Sequence, residues 1–141
     1  MQVETILQSK GHTVYTVEAG APLSEAVRIL NAHKIGAVVV VDAKGKVAGI
    51  LSERDIVRRL DKNPVELLAS PVRNAMTTKV ITTTSAAPVA DLMEQMTRHR
   101  IRHIPIVEGG KLVGIVSIGD VVKRKIEEAE QEAMALKEYI A

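Results

Sequence analysis

At 141 residues the chain is long enough to bury one sizeable core, and its net charge of +2 is too small to draw it as a whole to nucleic acid or lipid. It has no Cys, which removes disulfides, thiolate chemistry and Cys-containing zinc sites. It has no Phe or Trp and only two tyrosines, Tyr15 and Tyr139, so the stacking platforms of a single-strand nucleic-acid binder are missing. Apolar residues at 46% and charged residues at 26% give the balance of a soluble globular domain. No run approaches the roughly 18 apolar residues of a membrane span. The opening MQVETILQSKG lacks the layout of a signal peptide, so a cytoplasmic location with no membrane partner is expected.

Val3, Ile6 and Leu7 place one apolar face on a short opening helix over 1–11, which Gly11 can stop. Thr13 to Val17 alternates like a strand. A helix is entered through Pro22, with Leu23, Ala26, Val27 and Leu30 at i, i+3, i+4 and i+7, and Gly36 is expected to close it. Ala37 to Val41 is a continuous apolar run, the pattern of a strand buried on both faces. A turn at Asp42–Gly45, a strand over Lys46–Ser52 and a helix over Glu53–Leu60 follow. The connector from Asn63-Pro64 to Ser70-Pro71 has room for a helical turn or two over Val65–Ala69.

The second half replays the first. Adding 66 maps Val14 to Val80, Pro22 to Pro88, His33 to His99 and Ile35 to Ile101, and turns the helical stripe into Val89, Leu92, Met93 and Met96. After the shorter turn at Glu108-Gly109-Gly110 the offset becomes 65, and Gly49–Asp55, GILSERD, aligns with Gly114–Asp120, GIVSIGD. Spacing this regular marks an internal repeat of β-α-β-β-α units. Half the chain is too small to bury a good core alone, so the units are expected to pack as one module. The repeats span 12–62 and 78–126, joined by a linker at 63–77 and followed by a helical extension at 127–141. In the tail, Val122, Ile126, Ala129, Ala133, Leu136 and Ile140 step by four and three, a seam for either the chain's own domain or a partner helix.

Each repeat ends in Ser-x-x-Asp, Ser52 with Asp55 and Ser117 with Asp120. The pattern is a capping box, and it is also a place where a helix start can hold an anion while the Asp accepts hydroxyls. No catalytic set accompanies it. The serines have no base that repeats with them, and P-loop and GxGxxG patterns are absent. His99 and His103 fall on a helix end and a strand start rather than one helix face, and neighbouring arginines repel a cation, so no metal site is expected. The basic run Arg98–His103 would serve a nucleic-acid binder, a rival disfavoured by the missing aromatics. A nucleotide-processing enzyme, the other rival, lacks its nucleophile and base.

Two such units, a G-[IV]-x-S-x-x-D close to each, and the linker Val72–Thr77 resemble a tandem CBS-domain pair, or Bateman module, over about Gly11–Ile126. The chain is similar to small stand-alone bacterial proteins of this kind. The resemblance implies an α+β fold of two CBS repeats related by a pseudo-twofold axis, with a short N-terminal and a long C-terminal helix. It implies a homodimer and a regulatory role, with an effector protein reading the signal. It also implies that AMP, ADP, ATP, NAD(H) or S-adenosylmethionine binds in two clefts between the repeats, with no catalytic cofactor. Carried over by motif, the first cleft would use Thr16, Lys34, Ile35, Gly36, Ala37, Val38, Ser52, Arg54 and Asp55. The second would use Thr82, Arg100, Ile101, Arg102, His103, Ile104, Pro105, Ser117 and Asp120. Ser would face phosphate and Asp the ribose. Arg102 and His103, against Gly36 and Ala37, make the second cleft the expected better site, so Asp120→Asn is expected to matter more than Asp55→Asn. A cleft lined by Val80, Ile104 and Ile115 is expected to prefer adenine over guanine. Affinity is expected to fall as pH rises through the His103 range.

Overall fold

The computed structural model describes all residues from Met1 to Ala141. The first repeat forms β1 (Thr16–Glu18), α2 (Leu23–His33), β2 (Ala37–Val41), β3 (Val47–Ser52) and α3 (Glu53–Val57), preceded by α1 (Val3–Lys10). The connector carries α4 (Pro64–Ala69) and a 3-10 turn at Val72–Asn74. The second repeat forms α5 (Val89–His99), β4 (His103–Glu108), β5 (Lys111–Ser117) and α6 (Ile118–Ile140). The architecture is α+β, two small sheets with helices packed on them.

Each sheet is built on an antiparallel hairpin, β2–β3 and β4–β5. In the first, β1 adds in parallel, Thr16 opposite Val39. This strand starts later than the alternation at Thr13 suggests, and only the Tyr15 carbonyl, accepting from Val39 N–H at 3.4 Å, reaches across before it. The corresponding strand of the second repeat is reduced to a single bridge, Thr83 to Ile106. Pro105 stands where the first repeat has Val39, and a proline has no N–H to donate. One rung is lost, and the ladder does not propagate.

Helices α2 and α5 close alike. Lys34 and Arg100 adopt the left-handed conformation at φ 53°, and the next N–H, of Ile35 or Ile101, reaches back to the carbonyl of Leu30 or Met96 at 3.1 Å. This is a Schellman ending. Gly36 therefore does not close α2. It is small for another reason: a Cβ there would lie 2.8 Å from Glu53 Oε1 and 3.3 Å from His103 Cε1.

There are two cores, and each is completed by the segment leading into the other repeat. Val3, Ile6 and Leu7 of α1 are buried with Leu92, Ile104, Ile106 and Val116 of the second repeat. Val72 and Ala75 of the connector are buried with Leu23, Leu30, Val40 and Leu51 of the first. The equivalent glycines Gly49 and Gly114 make room for these lead-ins. A Cβ on Gly49 would meet Met76 Sδ at 2.6 Å and the Thr77 carbonyl at 2.8 Å, and one on Gly114 would meet Leu7 Cδ2 at 2.7 Å. Crossed lead-ins of this kind bind the repeats into one body.

Candidate functional site

Ser-x-x-Asp is a closed capping box in both repeats. Asp55 Oδ2 accepts from Ser52 N–H at 2.9 Å, and Ser52 Oγ accepts from Asp55 N–H at 3.3 Å. The matching distances in the second repeat are 2.8 Å for Ser117 N–H to Asp120 and 3.2 Å for Asp120 N–H to Ser117. The cap consumes one carboxylate oxygen. Oδ1 of Asp55 has only the Thr77 hydroxyl at 3.4 Å, so a cap and a hydroxyl acceptor coexist in one side chain. The helix that follows Ser52 stops at Val57 rather than Leu60. Its five residues bring too small a dipole to hold an anion, so any anion must be held by side chains.

A cavity of about 530 Å³ opens beside Asp55. Its floor comes from the end of the first repeat, Ile50, Ser52, Glu53, Arg54, Asp55 and Arg58, together with Gly36. One wall is the lead-in to the second repeat, Thr77 and Lys79–Ile81, and the other is His99–His103. The lead-in is fixed by two hydrogen bonds between Ile50 and Thr77, 3.0 and 2.9 Å. Arg54, Arg58, Lys79, Arg100 and Arg102 form no ion pair. The cavity is of ligand size and carries an excess of positive charge.

The structure therefore divides the expected residues across repeats rather than within them. Gly36, Ser52, Arg54 and Asp55 share the cavity with Arg100, Ile101, Arg102 and His103. Thr16 and Thr82 are exposed and do not line it. Val38 and Ile104 are core residues with no exposure, and Ala37 and Pro105 are buried on their strands. Lys34 and Ile35 line a neighbouring groove between α2 and α3. Ser117 and Asp120 lie at the other end of the pseudo-twofold, where Lys10 Nζ donates to Asp120 Oδ2 at 2.7 Å. Arg102 lines the Asp55 cavity, and His103, beside Ser117 in the sheet and near Asp120, lines it too. Among the residues not foreseen, Thr77, Lys79, Arg58 and Ile81 matter most. Their signal was the pseudo-symmetry itself, which sets the end of one repeat against the start of the next.

His103 sits close to Gly36 and between the carboxylates of Glu53 and Asp120. Burial pushes its pKa below the ordinary 6.5, outweighing those carboxylates, with Lys10 and Arg102 adding to the shift. His103 is thus neutral at neutral pH, and any help it gives a phosphate is confined to the acid side. Burial opposes the charge on Asp120, yet hydrogen bonds from Lys10 and Ser117 outweigh it and hold the carboxyl below its ordinary 3.8. Glu108 is held below 4.5 by hydrogen bonds from the Ser85 hydroxyl and amide. All three groups bind protons more weakly folded than unfolded, so all lose stability towards acid. The melting temperature is expected to be level above neutral pH, to fall as pH drops below about 6.5, and to fall again below about 4.5. His103→Gln should remove the upper step. Thermal melts across this range check it, and a parent curve with no upper step would contradict the burial of His103.

The CBS-domain family model matches residues 10–62 and 72–127, one match per repeat. The chain belongs to the CBS-domain family. A CBS-domain-containing protein from Agrobacterium tumefaciens of known structure is 45% identical, with a TM-score of 0.84 over 88% of this chain and 92% of that one. A mitochondrial CBS-domain-containing protein of Arabidopsis thaliana, CBSX3, is 38% identical over 120 residues, 82% of this chain but 58% of its own length. The CBS domain pair of protein MJ0100, solved in complex with 5′-methylthioadenosine and S-adenosyl-L-methionine, has a TM-score of 0.80 at 28% identity, covering 91% of this chain and 98% of that one. CBS-domain proteins are in general regulatory modules. No helix of this CBS pair is long and apolar enough to cross a membrane.

Proposed function

We propose that this CBS pair binds an adenosyl nucleotide, AMP, ADP, ATP or NAD(H), in the Asp55 cavity and acts as a regulatory module without catalysis. The observation that carries this reading is the cavity's charge layout. Asp55, 9% exposed, offers a loosely partnered Oδ1 to ribose hydroxyls, while five unpaired basic side chains surround the remaining space. Charge-assisted bonds from arginines suit phosphate oxygens. Val80 and Ile81 of one wall, with Ile50 of the floor, give a base an apolar surface. The adenosyl ligands of the MJ0100 pair support the same class here. Occupancy would report energy or redox state to an effector protein in the cytoplasm.

Glu53 also lines the cavity, but a base set against Ile50, Val80 and Ile81 leaves the extra amine and N1–H of guanine facing apolar side chains, which costs free energy. AMP should therefore bind at least about tenfold more tightly than GMP, a difference of about 1.4 kcal/mol. Isothermal calorimetry with both nucleotides tests the reading. Equal binding, or none, would overturn it.

The module is also proposed to dimerise through its helices. Val122, Ile126, Leu136 and Ile140 of the α6 seam are all exposed, and every residue from Gln131 to Ile140 stands clear of its own domain. The alternative that the seam packs on its own domain does not describe this half of the helix. Exposed apolar stripes of this kind mark association surfaces. Deleting Gln131 onward should weaken the dimer in sedimentation equilibrium, whereas an unchanged dimer would place the interface elsewhere.

A further inference from the structure

The basic side chains of the Asp55 cavity reach it from three sides. Arg54 and Arg58, four residues apart on α3 and its C-cap, share one helix face and stand on the floor. Lys79 comes from the lead-in wall, and Arg100 and Arg102 come from the other. All five are exposed, and none is spent on an ion pair within the chain. Against these five the cavity sets two carboxylates, Glu53 and Asp55, an excess of three positive charges. Asp55 already gives one oxygen to its cap. This charge belongs to one cleft and not to the repeat. The positions equivalent to Arg54, Arg58, Lys79, Arg100 and Arg102 are Gly119, Lys123, Thr13, Lys34 and Gly36, two cations in place of five. A cleft that gathers one sign of charge focuses its field and concentrates counter-charge. A monophosphate brings about two negative charges at neutral pH, and it is too small to meet a floor and two walls at once. Each further phosphate in a chain adds both charge and reach.

We propose that the Asp55 cavity selects an adenosine di- or triphosphate, with Arg54, Arg58 and Lys79 holding the phosphates beyond the first, and that it rejects cationic adenosyl ligands. The inference rests on the nucleotide reading of this cavity and narrows it. The pyrophosphate of NAD(H) is bridged at both ends and carries no more charge than AMP, so a dinucleotide gains little from the extra cations. The same layout sets this chain apart from the MJ0100 pair, whose structure holds 5′-methylthioadenosine, which has no phosphate, and S-adenosyl-L-methionine, a sulfonium. A sulfonium among five cations is repelled. Because the five side chains are exposed, the preference is screened by salt.

Calorimetric titration of the full chain, metal-free and at low ionic strength, tests this with ATP, ADP, AMP, 5′-methylthioadenosine and S-adenosyl-L-methionine. Affinity should fall in that order, with ATP at least about tenfold tighter than AMP and S-adenosyl-L-methionine at least about tenfold weaker than AMP. The ratio of ATP to AMP affinity should shrink as salt is raised. Arg54→Gln combined with Lys79→Gln should lower ATP affinity more than AMP affinity, bringing the ratio below about threefold. Equal affinity of the parent for ATP and AMP, or S-adenosyl-L-methionine bound as tightly as ATP, would overturn the polyphosphate assignment and leave the adenosyl reading standing. A ratio unchanged in the double variant would overturn the roles given to Arg54 and Lys79. Inorganic tripolyphosphate bound as tightly as ATP, or no binding of any adenosyl ligand, would overturn the nucleotide reading itself.

Discussion

Asp55→Asn should lower AMP affinity about 10- to 100-fold while leaving the unliganded protein nearly as stable as the parent. The two halves of this result come from the two jobs of one side chain. As a cap, Asp55 accepts from Ser52 N–H, and Asn serves nearly as well, so less than about 1 kcal/mol of stability is at stake. As a ribose anchor, it offers charged oxygens to hydroxyls, bonds worth roughly 1.5–3 kcal/mol, or about 10- to 100-fold in affinity. The direction is diagnostic. If Asp55 met the ligand only through its field, neutralising it amid Arg54, Arg58, Lys79, Arg100 and Arg102 would strengthen anion binding instead of weakening it. Thermal shift with and without AMP separates the cases: the parent's rise should be mostly lost in Asp55→Asn. Asp120→Asn should have the smaller effect, because Asp120 does not line this cavity.

The second large effect is at Gly49. Its added Cβ would sit 2.8 Å from the Thr77 carbonyl and 2.6 Å from Met76 Sδ. The carbonyl is held by Ile50 N–H at 3.0 Å and cannot retreat without breaking that bond. Overpacking of this kind costs about 1–3 kcal/mol, so Gly49→Ala should lower the melting temperature by about 3–10 °C. It should also weaken AMP binding, since the displaced lead-in carries Thr77 and Lys79. Gly114→Ala meets only the end of a leucine side chain and should cost less. Gly119→Ala, with nothing nearer than Ser117 Oγ at 3.6 Å, should be neutral or stabilising in helix α6. Equal losses at all three glycines would contradict the crossed lead-in packing.

The elements carried by local pattern were legible in the sequence. Ala37–Val41 is a strand over the whole of its apolar run, and of the stripe Val89, Leu92, Met93 and Met96 all but Met93 lie on the buried face of α5. The two capping boxes follow from three-residue spacing, and the offset of 66, then 65 after the second turn, located the equivalents of α2, β2, β3 and the start of α3. Reading both repeats as β-α-β-β-α passes over Pro105 at the Val39 position, where a proline donates to no ladder. What could not be read was how the repeats dock. The partnership of Asp55 with Arg100 and Arg102, and of Lys10 with a carboxylate 110 residues away, depends on which face of each unit meets the other. Each repeat taken alone groups its Asp with its own basic residues, whereas the Asp55 cavity is lined from both repeats.

A crystal structure grown with one equivalent of AMP tests the central claim most directly. The ribose hydroxyls should lie on the Asp55 carboxylate, the base against Val80 and Ile81, and the phosphate towards Arg100 and Arg102, with Lys10 still on Asp120. Electron density for the nucleotide at Asp120 with the Asp55 cavity empty would contradict it.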